Sequence, residues 1–122
     1  MSVSILICED EKPFAKALRL KLEAQGFQVQ IANDGQDALE QFSSSFQLVV
    51  LDLMLPYVDG FQILEHIRNV ESSSVPVLIL SNLSQPEDIS RVKALGATDY
   101  LVKATTPLND IVGRIVEMVT PE

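Results

Sequence analysis

Leu48-Val49-Val50-Leu51-Asp52-Leu53 and Val75-Pro76-Val77-Leu78-Ile79-Leu80-Ser81 decide the fold. Both runs are short, β-branched and apolar almost without a break. Strands that read apolar on both faces belong to parallel sheets covered by helices on each side. Val3 to Cys8 has the same character, Gln28-Val29-Gln30-Ile31 alternates like an edge strand with one wet face, and Asp99-Tyr100-Leu101-Val102 adds a short fifth strand. Between these runs the period turns helical. Phe14, Ala17, Leu18 and Leu22 share a face of a first helix that Gly26 stops. Ala38, Leu39 and Phe42 mark a second helix, and Ile63, Leu64 and Ile67 a third with Asp59 and Gln62 as its capping pair. Ser84-Gln85-Pro86-Glu87 reads as a capping box for a fourth helix that Gly96 closes. Thr106-Pro107 opens a fifth, with Leu108, Ile111, Val112, Ile115 and Val116 as its buried stripe. Strand and helix thus alternate five times, which predicts a three-layer α/β domain: a doubly wound parallel sheet with helices on both faces.

The 122 residues fit one domain spanning 1–122, with 47% hydrophobic and 21% charged side chains. No stretch reaches the ~18 consecutive apolar residues of a membrane span, and the acidic N-terminal run does not read as a signal peptide. A cytoplasmic domain without membrane contact is therefore expected. Cys8 is the one cysteine, so no internal disulfide forms, and an inert core thiol is the simplest reading. Seventeen acids against nine bases give a charge of −8, which argues against direct nucleic-acid binding by this domain.

In doubly wound sheets ligands sit beyond the carboxyl ends of the strands. Those ends carry Glu9 and Asp10, then Asp52, Ser81 and Lys103. Two like charges ~4 Å apart repel by roughly 4 kcal/mol at an effective dielectric of ~20, so such a cluster needs a counter-charge. Three carboxylates suit Mg²⁺, which favours a few acids plus water and phosphate oxygens. A phosphate-bound Mg²⁺, an ammonium and a hydroxyl are the parts of phosphoryl transfer, in which a carboxylate can be the acceptor.

These residues stand in motifs: Ile-Leu-Ile-Cys-Glu9-Asp10-Glu11, Leu-Val-Val-Leu-Asp52-Leu-Met-Leu-Pro56-x-x-Asp59-Gly60, Leu-Ile-Leu-Ser81 and Gly96-Ala97-x-Asp-Tyr100-Leu-x-Lys103. In order and spacing they resemble the receiver domain of bacterial response regulators, over essentially the whole chain. The resemblance implies a flavodoxin-like (βα)5 sheet of order 2-1-3-4-5. It implies Asp52 as phosphoacceptor from a sensor histidine kinase or phosphotransfer protein. Mg²⁺ would be held by Asp10 and Asp52 side chains, the Met54 backbone carbonyl, and Glu9 through water. Ser81 would hydrogen-bond the phosphoryl group, Lys103 would pair with it, and Tyr100 would be the switch aromatic. The changed surface, the fourth and fifth helices with strand five, would be read by a downstream output domain or target protein, or form a homodimer. Such a domain is a signalling switch, not an enzyme with a separate substrate.

The chain departs from the family pattern in places. Ala104 stands where Pro in a cis bond is usual; a non-proline cis bond costs ~2.5–4 kcal/mol, so the bond is either trans or strained. Asn82 replaces a smaller residue and bears on access for small phosphodonors. Met54 and Leu83 are apolar where polar groups help place an attacking water, which predicts slow self-hydrolysis. Other readings fit less well. An aspartyl-phosphate phosphatase needs a second acid where Met54 stands. A flavin or nucleotide binder needs a Gly-rich phosphate loop that the chain lacks. An inert receiver-like interaction module would be expected to have lost its acids. Lys12, Lys16 and Arg19 read as a solvated face, and His66 as a surface histidine.

Overall fold

A computed structural model describes residues 2–120, so residues 1, 121 and 122 of the expected 1–122 domain lie outside the described residues. The elements alternate as expected. They are β1 (Ser4–Cys8), α1 (Lys12–Ala24), β2 (Gln28–Ala32), α2 (Gly35–Gln41), β3 (Leu48–Leu51), α3 (Gly60–Glu65), β4 (Val77–Ser81), α4 (Pro86–Ala94), β5 (Asp99–Val102) and α5 (Leu108–Val119). All pairings are parallel and the strand order is β2-β1-β3-β4-β5. This is the doubly wound 2-1-3-4-5 sheet. Among the described residues no helix is long and apolar enough to cross a membrane.

Alternate residues of the central strands face opposite helical layers, which is why they read apolar throughout. Leu6, Cys8, Val49, Leu51, Val77 and Ile79 pack with Ala38 of α2, Ile63 and Leu64 of α3 and Val92 of α4. Ile5, Ile7, Leu48, Val50, Leu78 and Leu80 pack with Leu18 and Leu22 of α1 and with Ile111, Val112 and Ile115 of α5. The buried face of α1 uses Ala15 where periodicity pointed to Ala17.

Helix ends show where local chemistry was read well and where it was not. Asp59 and Gln62 form a complete capping box on α3. Gly26 and Gly96 take φ of +94° and +101° just after α1 and α4, the left-handed conformation that favours glycine. The Ser84 box does not form. Gln85 is the N-cap of α4, held extended by the following Pro86, whose missing N–H costs nothing at the first helical position. Thr106 likewise does not cap α5; its hydroxyl donates to the Val102 carbonyl at 2.7 Å, and Pro107 precedes the first helical residue. Beyond α3 the chain continues as a π-helical turn, His66–Val70, where Arg68 ties down the Gly96 and Ser73 carbonyls.

Candidate functional site

Three strands deliver carboxylates and a cation to one end of the sheet. Glu9 and Asp52 are the first residues after β1 and β3, and Lys103 is the first after β5, opening a 3-10 turn (Lys103–Thr105). Glu9 and Asp52 are buried while Asp10 is exposed, and one oxygen from each of the three carboxylates lies within 4.8 Å of the others. A cleft of about 220 Å³ lies over them, lined by Asp10, Glu11, Asp52, Met54, Asn82 and Lys103. A larger cleft of about 490 Å³ between α1 and β2, lined by Lys12, Lys16 and Arg19 among others, contains none of these acids.

Two glycines let the backbone close around this end. A Cβ on Gly60 would sit 2.4 Å from the Asp52 carbonyl oxygen, so only glycine lets α3 begin against the end of β3. A Cβ on Gly35 would fall 1.7 Å from the Val58 carbonyl oxygen, where α2 abuts the loop after β3.

The electrostatics follow from burial and from one lysine. Lys103 Nζ lies 2.9 Å from Glu9 Oε1, 3.1 Å from Asp52 Oδ2 and 2.6 Å from Glu11 Oε1. Its side chain is only 7% exposed. The second oxygens are also occupied: Glu9 Oε2 accepts from the Glu11 amide at 2.9 Å and Asp52 Oδ1 from the Met54 amide at 3.0 Å. Burial pulls the Lys103 pKa down, but the Glu11, Glu9 and Asp52 carboxylates outweigh it and hold the ammonium above the ordinary lysine range. Burial is the largest influence on Glu9 and raises its carboxyl above the usual range, against the pull of the Glu11 amide and Lys103. Glu11 is the residue that sequence reading missed: a third consecutive acid signalled it, but its contact with Lys103 depends on the fold.

Ser81 and Tyr100 stand apart from the carboxylates. Ser81 is fully buried, and its hydroxyl accepts from the Leu83 amide at 3.4 Å. Tyr100 is half-buried, and its hydroxyl donates to the Leu83 carbonyl. Burial, followed by Asp88 and Asp52, raises its phenol above the usual range. Among the described residues no hydrogen bond links Ser81 or Tyr100 to Asp52 or Lys103. Met54 is 58% exposed at the edge of the cleft, whereas Leu83 packs on the core. No cis peptide bond occurs among the described residues, so Lys103–Ala104 is trans. Cys8 is buried, and burial followed by Asp37 pushes its thiol above the ordinary range. His66 lies at the surface beside Glu71.

A doubly wound 2-1-3-4-5 sheet with a buried acidic pair, an exposed acid and a lysine at its carboxyl end defines a receiver-type module. The chain belongs to the response regulator receiver domain family, whose model matches residues 5–115. It is 41% identical over 108 residues to the transcriptional regulatory protein CpxR homolog of Haemophilus influenzae, covering 87% of this chain and 44% of that protein. It is 38% identical over 100 residues to the response regulator ArlR of Staphylococcus saprophyticus, covering 81% and 44%. The chain spans about half the length of the curated relatives it matches. The non-phosphorylated HemR receiver domain of Leptospira biflexa superposes with a TM-score of 0.91 at 28% identity, covering 99% of this chain and 97% of that one. The BeF3-activated DrrB receiver domain gives 0.85 at 29%, covering 97% of each.

Proposed function

We propose that this chain is a phosphorylation-driven signalling switch in which Asp52 accepts a phosphoryl group in the presence of Mg²⁺. The convergence of Glu9, Asp10 and Asp52 within 4.8 Å, opposed by a nearly buried Lys103, carries this reading. The donor set fits the ion, since three hard anionic oxygens with two of the residues buried suit Mg²⁺ better than a soft metal. Asp10 and Asp52 would hold it directly, Glu9 through water and Met54 through its carbonyl. When bound, Mg²⁺ neutralises charge on the phosphoryl oxygens as transfer proceeds.

The remaining steps belong to the protein. One Asp52 carboxylate oxygen bonds to phosphorus as the bond from phosphorus to a phosphohistidine nitrogen breaks. The donor is a sensor histidine kinase or a phosphotransfer protein. The phosphoryl group brings about −1.5 to −2 charge, so Lys103 exchanges carboxylate contacts for phosphoryl oxygen and Ser81 turns its hydroxyl toward the same group. Ser81 moves the segment ahead of α4, where the Leu83 carbonyl holds Tyr100. Moving a two-state element from mostly off to mostly on needs ~5.5 kcal/mol. A few charge-assisted hydrogen bonds of roughly 1.5–3 kcal/mol each supply it. The face formed by α4, β5 and α5 then changes and is read by an output domain, a target protein or a second copy of the chain. In this reading the chain works in the cytoplasm and is its own substrate, not an enzyme for another molecule.

The test is intact mass after incubation with acetyl phosphate. One added phosphoryl group with Mg²⁺, and none with EDTA or in Asp52→Asn, is the expected result. Phosphorylation of Asp52→Asn to the same extent would overturn it.

A further inference from the structure

Paired residues of β4 and β5 run from Leu78 opposite Asp99 to Ser81 opposite Val102, and there the backbone ladder stops. The next residues are Asn82, in the loop leading to α4, and Lys103, in the 3-10 turn. One further link joins the two chains past that point. The Ala104 amide donates to Asn82 Oδ1 at 2.7 Å, so a side-chain oxygen takes the place of a backbone carbonyl and adds a rung to the sheet. A proline at 104 would have no N–H to give, and a small apolar residue at 82 would have no acceptor. Asn82 also lines the cleft over Asp52 and Lys103.

We propose that Asn82 is a positioning residue, whose side-chain oxygen locks the turn carrying Lys103 to the loop following Ser81, so that the two phosphoryl-binding groups are presented together. The inference rests on the phosphoacceptor reading of Asp52. Lys103 must release Glu9, Glu11 and Asp52 oxygens to meet a phosphoryl group, and its turn has few other ties. Thr105 and Thr106 hydroxyls both bond back to Val102, within the same segment. The Asn82 bond anchors that segment to its neighbour, so Lys103 changes partners while its backbone stays in register with Ser81. Asn82 is exposed, and replacing it leaves the core intact.

The experiment compares the parent with Asn82→Leu, which keeps the size and loses the acceptor, and Asn82→Asp, which keeps an acceptor. Amide hydrogen exchange at Ala104 reports the bond: protected in the parent and Asn82→Asp, and fast in Asn82→Leu. Mg²⁺ affinity and Mg²⁺-dependent beryllofluoride affinity are then measured by tyrosine fluorescence or NMR. Asn82→Leu is expected to bind Mg²⁺ as the parent does and beryllofluoride about three- to tenfold more weakly, the range for one lost hydrogen bond. General loosening of the fold would not produce that split. Fast exchange at Ala104 with unchanged beryllofluoride affinity would overturn the positioning role and leave the reading of Asp52 standing. Failure of the parent itself to bind beryllofluoride with Mg²⁺ would overturn both.

Discussion

Lys103 Nζ lies 3.1 Å from Asp52 Oδ2 while also holding Glu9 and Glu11, so the ammonium is the counter-charge for the acidic cluster. A tethered cation of this kind competes with a free one. Lys103→Met should therefore destabilise the metal-free protein by about 3 kcal/mol, because removing one partner of a buried pair strands the other charges. Added Mg²⁺ should restore much of that loss and bind more tightly than it binds the parent. Urea unfolding with and without Mg²⁺ measures both. Because the folded-state pKa of Lys103 is raised, its stabilising contribution is full below the ordinary lysine range and is lost as pH rises through the raised value. The parent–variant difference should be largest near neutral pH and shrink in strong alkali. A pH-independent difference would contradict the assignment.

Tyr100 gives a second pH signature. The chain has two tyrosines, so in a Tyr57→Phe background the phenolate absorbance reports Tyr100 alone. Burial raises its ionisation above the ordinary tyrosine range, so the folded protein should titrate later than the same protein in urea. The sign follows: the neutral phenol is favoured by folding, so its contribution is present below the ordinary range and is lost as pH climbs through the raised value. Coincident titrations in the two states would refute the raised value.

Gly60→Ala tests the close approach of α3 to the backbone at the end of β3. Its Cβ would meet the Asp52 carbonyl oxygen at 2.4 Å and Leu53 Cα at 2.6 Å, both backbone atoms that cannot rotate away. Overpacking of this kind costs about 1–3 kcal/mol, and the displaced Asp52 should bind Mg²⁺ more weakly. Thermal unfolding and a metal titration measure the two effects. Gly113→Ala, which meets nothing within 4 Å, is the control and should be neutral or stabilising.

If Asp52 is phosphorylated, the lifetime of the phosphoryl group should depend on Met54 more than on Leu83. Both are apolar where a polar group would place a water, but Met54 borders the cleft and Leu83 packs on the core. Met54→Asn alone should shorten the lifetime, followed as loss of the phosphorylated mass. Leu83→Glu should chiefly lower stability by pulling a packed side chain out of apolar surroundings. An unchanged lifetime in Met54→Asn would contradict the expectation that the apolar Met54 slows self-hydrolysis.

Much of the architecture was legible because burial on both faces leaves a mark on every residue of a strand. Leu48–Leu51 and Val77–Ser81 could hardly be anything else, and Glu9, Asp10, Asp52 and Lys103 stand out where such strands stop. The misreadings are local contests settled by neighbours. Ser84 lost its cap to the backbone set by Pro86, and Ala15 took the buried place of Ala17 once α1 had docked. The π-helical turn at His66–Val70 left no periodic trace to read. Glu11 and Asn82 were recognisable as residues but not as contacts, because each meets its partner only when loops distant in sequence converge.

The most direct test of the acidic pocket locates the phosphoryl group itself. The protein is phosphorylated with acetyl phosphate and Mg²⁺, reduced with borohydride to convert an acyl phosphate to the alcohol, and mapped by peptide mass. Homoserine at position 52 alone, absent when Mg²⁺ is withheld, is the predicted result. Reduction at another carboxylate, or label resistant to borohydride, would contradict the account.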